Sequence, residues 1–294
     1  MIRDMFSNVL AGAFAKTQSP EFQEFTSLLE ESTRGANHAG NIIARATKYI
    51  ARTSMTAMQI KDEVVLRRKL IQIVGEESHG AVSALGYDLK IVGYDKQMMK
   101  ENNFLMVGNH VSYMDILMLA GVQPALFVTS VDMGQAPLLG QITRLAGCIF
   151  VERRNRTQVG RDLGTISDAL KQDFNVMIYP EGTSSNGMQV LPFKKSLLMA
   201  AVEADKDILP VCIKYTEIDG EPFSAANADK VCWYGDMTFG PHFLGMMKLK
   251  SLKAELHFLK PIKVTKESSR ADLTEQAYEA ISACYNEGRD LVPV

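Results

Sequence analysis

The sequence lacks the marks of a disulfide or zinc framework. Its four cysteines, Cys148, Cys212, Cys232 and Cys284, are scattered, with no CxxC and no Cys/His pairing. That argues against both frameworks and fits a reducing compartment. No window approaches the roughly 18 uninterrupted apolar residues that mark a membrane span. The formal net charge is −2, so no overall basic field points to nucleic acid. There is no internal repeat and no low-complexity tract. The nucleophile elbow GxSxG, the P-loop and HExxH are all missing. The opening "MIRDMFSNVLAGAFAKTQ" is interrupted by Asp4 and Asn8 and leads into a poor cleavage region. It reads as a short amphipathic helix rather than a signal peptide.

What is present is an ordinary globular composition, 46% apolar and 22% charged over 294 residues. Residues 1–80 read as a helical segment. Phe22, Phe25, Leu28 and Leu29 share one helical face behind Ser19–Pro20. The stretch 41–77 mixes an apolar stripe with Arg45, Lys48, Arg52, Lys61, Arg67, Arg68 and Lys69. Such a helix either lies on an anionic membrane or presents a solvated face over a core. After Gly80 the pattern changes. "YDLKIVG", "NFLMVGN", "PALFVTS", "CIFVERR", "FNVMIYP" and "ILPVCIKY" read as strands, with helical stretches between most of them. This predicts an α/β fold with a mostly parallel central sheet flanked by helices, preceded by the N-terminal helical segment. The α/β domain is expected over 81–265, with further strands and a short helix in 231–265. Residues 266–294 are expected to carry a terminal helix, capped near Ser268 or Ser269. Ligands of such folds bind beyond the carboxyl ends of the strands.

"GNHVSYMD" sits at one such end, with His110 five residues before Asp115. An imidazole held in one tautomer by a carboxylate serves as a general base for a hydroxyl. Equally, Asn109 or Ser112 caps a helix whose N-terminal dipole Asp115 favours. With no serine elbow in the chain, a base at His110 would act most simply on a hydroxyl of the substrate. "YPEGTSSNG" forces a tight loop, with Glu181 and Thr183 at a strand end, and Lys194 and Lys195 follow in "LPFKKS". "GCIFVERRNR" runs a strand into Arg153, Arg154 and Arg156, and guanidinium forks suit phosphate oxygens. Singly, each of these is also a solvated loop.

Their order is more specific. "NHVSYMD", "GCIFVERR", "YPEGTSS" with "PFKK", and "ILPV" together resemble the glycerolipid acyltransferase family, most closely its 1-acylglycerol-3-phosphate acyltransferase (PlsC-like) branch. The motifs cover roughly residues 85–215. The resemblance implies that His110 deprotonates an acceptor hydroxyl, which attacks an acyl thioester, with Asp115 orienting His110. It implies substrate contacts from Asn109, Arg153, Arg154, Glu181, Gly182, Thr183, Lys194 and Lys195, and an acyl site shaped by Pro210. It implies a lysolipid acceptor, 1-acylglycerol-3-phosphate first, and acyl-CoA or acyl carrier protein as donor, with no metal and no prosthetic group. It also implies a peripheral enzyme at the cytoplasmic face of a membrane. Three positions depart from the branch: Ser184 stands where Arg often follows the E-G-T triplet, "TSVDMG" lacks a Lys, and Ser196 replaces a Gly. These departures leave open a different acceptor, such as a lyso-ornithine or other lyso-aminolipid. A non-catalytic lipid-binding protein and a hydrolase activating water at His110 are the alternative readings.

Overall fold

The computed structural model describes residues 33–136, 139–152 and 156–289. The amphipathic helix expected at the N-terminus and the Phe22–Leu29 face lie outside them. Helices α1 (Thr33–Gln59) and α2 (Glu63–Ala84) form an antiparallel pair around a small core of Tyr49, Leu66, Leu70 and Ile73. Asp62 opens α2, its carboxylate accepting from Val65 N at 2.8 Å. Among the described residues no helix is long and apolar enough to cross a membrane. Three of the basic residues of α1 pair with α2. Arg52, Lys48 and Arg45 converge on the buried Glu77 of α2 at 2.7, 3.0 and 3.7 Å, and Arg52 also reaches Glu76 at 2.6 Å.

Every strand expected between residues 87 and 215 forms. The order is β1 (Asp88–Val92), α3 (Lys96–Glu101), β2 (Leu105–Gly108), α4 (Tyr113–Val122), β3 (Leu126–Ser130), α5 (Val131–Gln135), α6 (Leu139–Leu145) and β4 (Ile149–Val151). It continues with α7 (Val159–Lys171), β5 (Val176–Ile178), α8 (Met199–Ala204), β6 (Ile208–Ile218), β7 (Glu221–Pro222), α9 (Phe239–Met247), β8 (Leu252–Phe258) and α10 (Arg270–Asn286). Ser269 caps α10, its hydroxyl accepting from Asp272 N at 3.1 Å.

The eight strands make one sheet in the order β1-β8-β6-β2-β5-β3-β4, with β7 paired to β6. The run β6-β2-β5-β3-β4 is parallel, and β8 joins it antiparallel through β6. β2 and β5 are buried on both faces, which is why "LMVG" and "VMI" are unbroken apolar runs. One core lies between the sheet and α2, α4 and α9, the other between the sheet and α7, α8 and α10. α2 crosses α4 closely. A Cβ on Gly121 would stand 2.9 Å from the backbone of His79, and one on Gly75 would stand 3.1 Å from Ala120 O. This contact seats the helix whose first turn carries Asp115.

Candidate active site

Strand order assembles the site. β2 and β5 are neighbours in register, Val107 opposite Ile178, so the loops that follow them emerge side by side. On the other flank β2 pairs with β6, Gly108 opposite Val211. Beyond Gly108 the chain leaves the sheet, and Asn109 continues the pairing with its side chain. Its Nδ2 donates to Ile213 O and its Oδ1 accepts from Ile213 N, both at 2.9 Å. Asn109 is buried with both ends of its amide engaged in this clamp.

Asp115 answers both readings of "GNHVSYMD". It is the third residue of α4, whose N-cap is Ser112, and it is completely buried. Its Oδ2 accepts from Ser112 N at 2.9 Å and Val111 N at 2.8 Å, closing a capping box. The same oxygen takes His110 Nδ1 at 2.9 Å. The other oxygen, Oδ1, accepts from the Tyr215 hydroxyl at 2.7 Å. One carboxylate therefore caps the helix and fixes the imidazole. Four donors satisfy a charge that burial would otherwise penalise heavily. With Nδ1–H on Asp115, Nε2 is the nitrogen left to accept a proton. The His110 side chain is 19% exposed, so a hydroxyl can reach it.

The β5 loop holds His110 from the remaining sides. Tyr179 stacks on the imidazole with ring centroids 4.2 Å apart and planes 17° from parallel. Glu181 Oε1 accepts from His110 N at 2.6 Å and Oε2 from Leu191 N at 2.9 Å, while Ser185 N donates to His110 O at 3.0 Å. Burial pushes the Glu181 carboxyl up to about 8 against the pull of these two donors, and the charge of Asp115 adds to the rise. Gly182 adopts φ +75, and the Lys194 ammonium lies across it where a Cβ would stand only 2.4 Å away. Lys194 N is tied back to Pro180 O at 2.8 Å. Thr183 and Lys195 are exposed at the same end of the sheet. Ser184 donates its hydroxyl to Trp233 O, and Trp233 N donates to Val111 O at 2.8 Å. The segment around Trp233 thus bridges the β2 and β5 loops.

A cavity of about 100 Å³ lies beyond the ends of β3, β4 and β5, lined by Val128, Val151, Glu152, Asp162, Gly182 and Lys194 among others. Its walls carry charges of both signs. Burial raises the Asp162 carboxyl, while Glu152 N donates to Asp162 Oδ2 at 3.2 Å. Val151 stands three strand positions from β2, about 14 Å at ordinary strand spacing. Arg153 and Arg154 lie outside the described residues, as does the Arg156 side chain. Pro210 is buried within β6, opposite Val107.

Residues 90–214 match the model of the Acyltransferase family, a span that holds the His110–Asp115 pair and the whole Glu181 loop. Over this span the chain carries an acyltransferase domain. It is 29% identical over 197 residues to a lyso-ornithine lipid O-acyltransferase of Rhizobium meliloti (strain 1021), covering 65% of this chain and 66% of that relative. It is 25% identical over 212 residues to a 1-acyl-sn-glycerol-3-phosphate acyltransferase of Neisseria gonorrhoeae, covering 72% and 80%. Its fold is also that of the crystal structure of PlsC, the 1-acyl-sn-glycerophosphate acyltransferase of Thermotoga maritima. That likeness has a TM-score of 0.62 at 21% identity and covers 89% of this chain and 98% of the other.

Tyr215 was not among the residues singled out from the sequence. Alternation along "ILPVCIKY" puts it on the same face as Val211 and Ile213, but nothing local says that this face meets Asp115.

Proposed function

We propose that this acyltransferase moves a fatty acyl group from an acyl thioester to the hydroxyl of a lysolipid. The observation that carries the reading is the reachable imidazole held by the buried Asp115. His110 Nε2 takes the proton of the acceptor hydroxyl, and the oxygen attacks the thioester carbonyl carbon. The tetrahedral intermediate collapses with loss of the C–S bond, and the departing thiolate takes the proton back from the imidazolium. No covalent enzyme intermediate is needed. The donor is acyl-CoA or acyl carrier protein. The work is done at a membrane surface, where both amphipathic substrates reside, and Met55, Met58 and Val65 of the helical pair are exposed apolar side chains.

The acceptor we favour is a lyso-ornithine lipid. An ornithine head group linked through its α-amide keeps an ammonium and a carboxylate. The cavity beside Gly182 offers Asp162 and Glu152 together with Lys194. Ser184, where an arginine would serve a phosphate, is bonded to Trp233 O instead. The second reading is 1-acylglycerol-3-phosphate as acceptor, supported by Lys194 across Gly182 and by the name of the Neisseria relative.

The test is acyl transfer in mixed micelles, offering acyl-CoA and acyl carrier protein against a panel of lysolipids. Lyso-ornithine lipid is expected as the best acceptor, with His110→Ala slower by about 10²–10⁴-fold. Product with lysophosphatidic acid alone would keep the mechanism and overturn the preferred acceptor. Thioester hydrolysis that ignores every acceptor would replace transfer with hydrolysis.

A further inference from the structure

Among the described residues Asp115 Oδ2 carries three donors, whereas Oδ1 has Tyr215 alone. Rotation about the Cβ–Cγ bond displaces both oxygens, and the Tyr215 bond opposes it at the one that the other three donors do not touch. Tied through both, the carboxylate presents Oδ2 in a single direction, toward His110 Nδ1. Tyr215 is delivered for this by its strand. β6 outruns β2, the Asn109 clamp grips it at Ile213, and Tyr215 follows two residues later on the same face. Immediately afterwards β6 bulges, its register against β8 slipping between Tyr215 and Glu217. A bulge re-aims the side chain beside it. Arg289 holds the same residue from behind by donating to Tyr215 O. Tyr215 is 1% exposed and Asp115 0%, so bulk solvent does not compete for this bond. Burial, and next the charge of Asp115, drive the phenol well above its ordinary value, which keeps it a proton donor at working pH.

We infer that Tyr215 is a positioning residue for acyl transfer, acting through Asp115 Oδ1 to aim the His110 imidazole. This rests on the reading of His110 as the base.

The decisive variant is Tyr215→Phe, which keeps the ring and deletes the donor. Its kcat is expected to fall about tenfold with acceptor KM unchanged, since the lost bond orients the base and touches no substrate. In an Asp115→Asn background the same substitution is expected to cost nothing further, because the two act as one unit. Tyr87→Phe supplies the control for general loss of a buried hydroxyl. Tyr87 donates to Met246 O at 2.7 Å away from the dyad, and its removal is expected to leave kcat unchanged. An unchanged kcat in Tyr215→Phe would overturn the inference, as would full additivity with Asp115→Asn or an equal loss in Tyr87→Phe. A readout without turnover separates this from failure of the functional reading. The downfield proton resonance of His110 Nδ1–H, assigned by its disappearance in His110→Ala, is expected to shift in Tyr215→Phe. If the native protein transfers no acyl group, that shift still decides the coupling. An unmoved resonance sinks it.

Discussion

His110 is held at its backbone N by Glu181, at its carbonyl by Ser185, at Nδ1 by Asp115 and across its ring by Tyr179. A side chain fixed from so many directions has little rotamer freedom left to lose when a substrate arrives, which is the physical content of preorganisation. One member of this set is incompletely satisfied. Among the described residues the Tyr179 hydroxyl is buried without a hydrogen-bond partner. Its ring does the stacking, and its oxygen only carries a desolvation cost. Tyr179→Phe is therefore expected to keep the transfer rate and to stabilise the fold by about 1 kcal/mol. Thermal unfolding beside an activity assay checks both. A marked loss of kcat would show that the hydroxyl takes part in catalysis.

At the scale of elements, the site depends on how α4 is seated. Its N-terminal turn carries Asp115, and its other end is pressed against α2 at Gly75 and Gly121. Gly121→Ala would set a methyl 2.9 Å from backbone atoms of His79, so the two helices must separate. A destabilisation of about 1–3 kcal/mol is expected, the usual range for overpacking. Urea unfolding measures it, and an unchanged midpoint would mean that the crossing yields without cost. The helical pair also revises how the basic residues of α1 are read. Glu77 gathers Arg45, Lys48 and Arg52. Burial pushes its carboxyl up, but the bonds from Arg52 and Lys48 outweigh this and leave it below its ordinary value. Those three cations serve the α1–α2 contact.

Across the whole molecule, segments far apart in sequence close around one point. The C-terminal helix α10 reaches the Glu181 loop, Tyr285 donating its hydroxyl to Gly187 O at 2.6 Å. Lys214 of β6 donates in turn to Cys284 O and Glu287 O at the end of that helix. Global stability should register one titrating group of this assembly. Glu181 keeps its proton in the folded protein up to about 8, against an ordinary value of 4.5. Between those values the unfolded chain has released a proton that the native state retains. Glu181 therefore favours the fold below about 4.5, and this contribution is lost as the pH rises through about 8. Unfolding free energies between pH 5 and about 8.5 are expected to decline more steeply in the native sequence than in Glu181→Gln. Equal slopes would show that the carboxyl is already ionised in the fold.

The sequence by itself determined the elements of the fold. Apolar runs and helical stripes are local patterns, and a strand buried on both faces or a helix buried on one cannot avoid displaying them, so β1 to β6 and the terminal helix were legible. The His110–Asp115 pair was legible too, because both residues lie in one short turn. The sequence left capping and catalysis as rivals, whereas in the structure one carboxylate oxygen both caps the helix and holds the imidazole. Tertiary structure alone decided the rest. Asn109 clamps Ile213, Tyr215 completes Asp115 and Tyr179 covers His110, each across a large sequence separation. No local pattern encodes those partners. They follow from the order in which strands pack beside one another, which is set by the burial of whole faces and by the requirement that every buried polar atom find a partner.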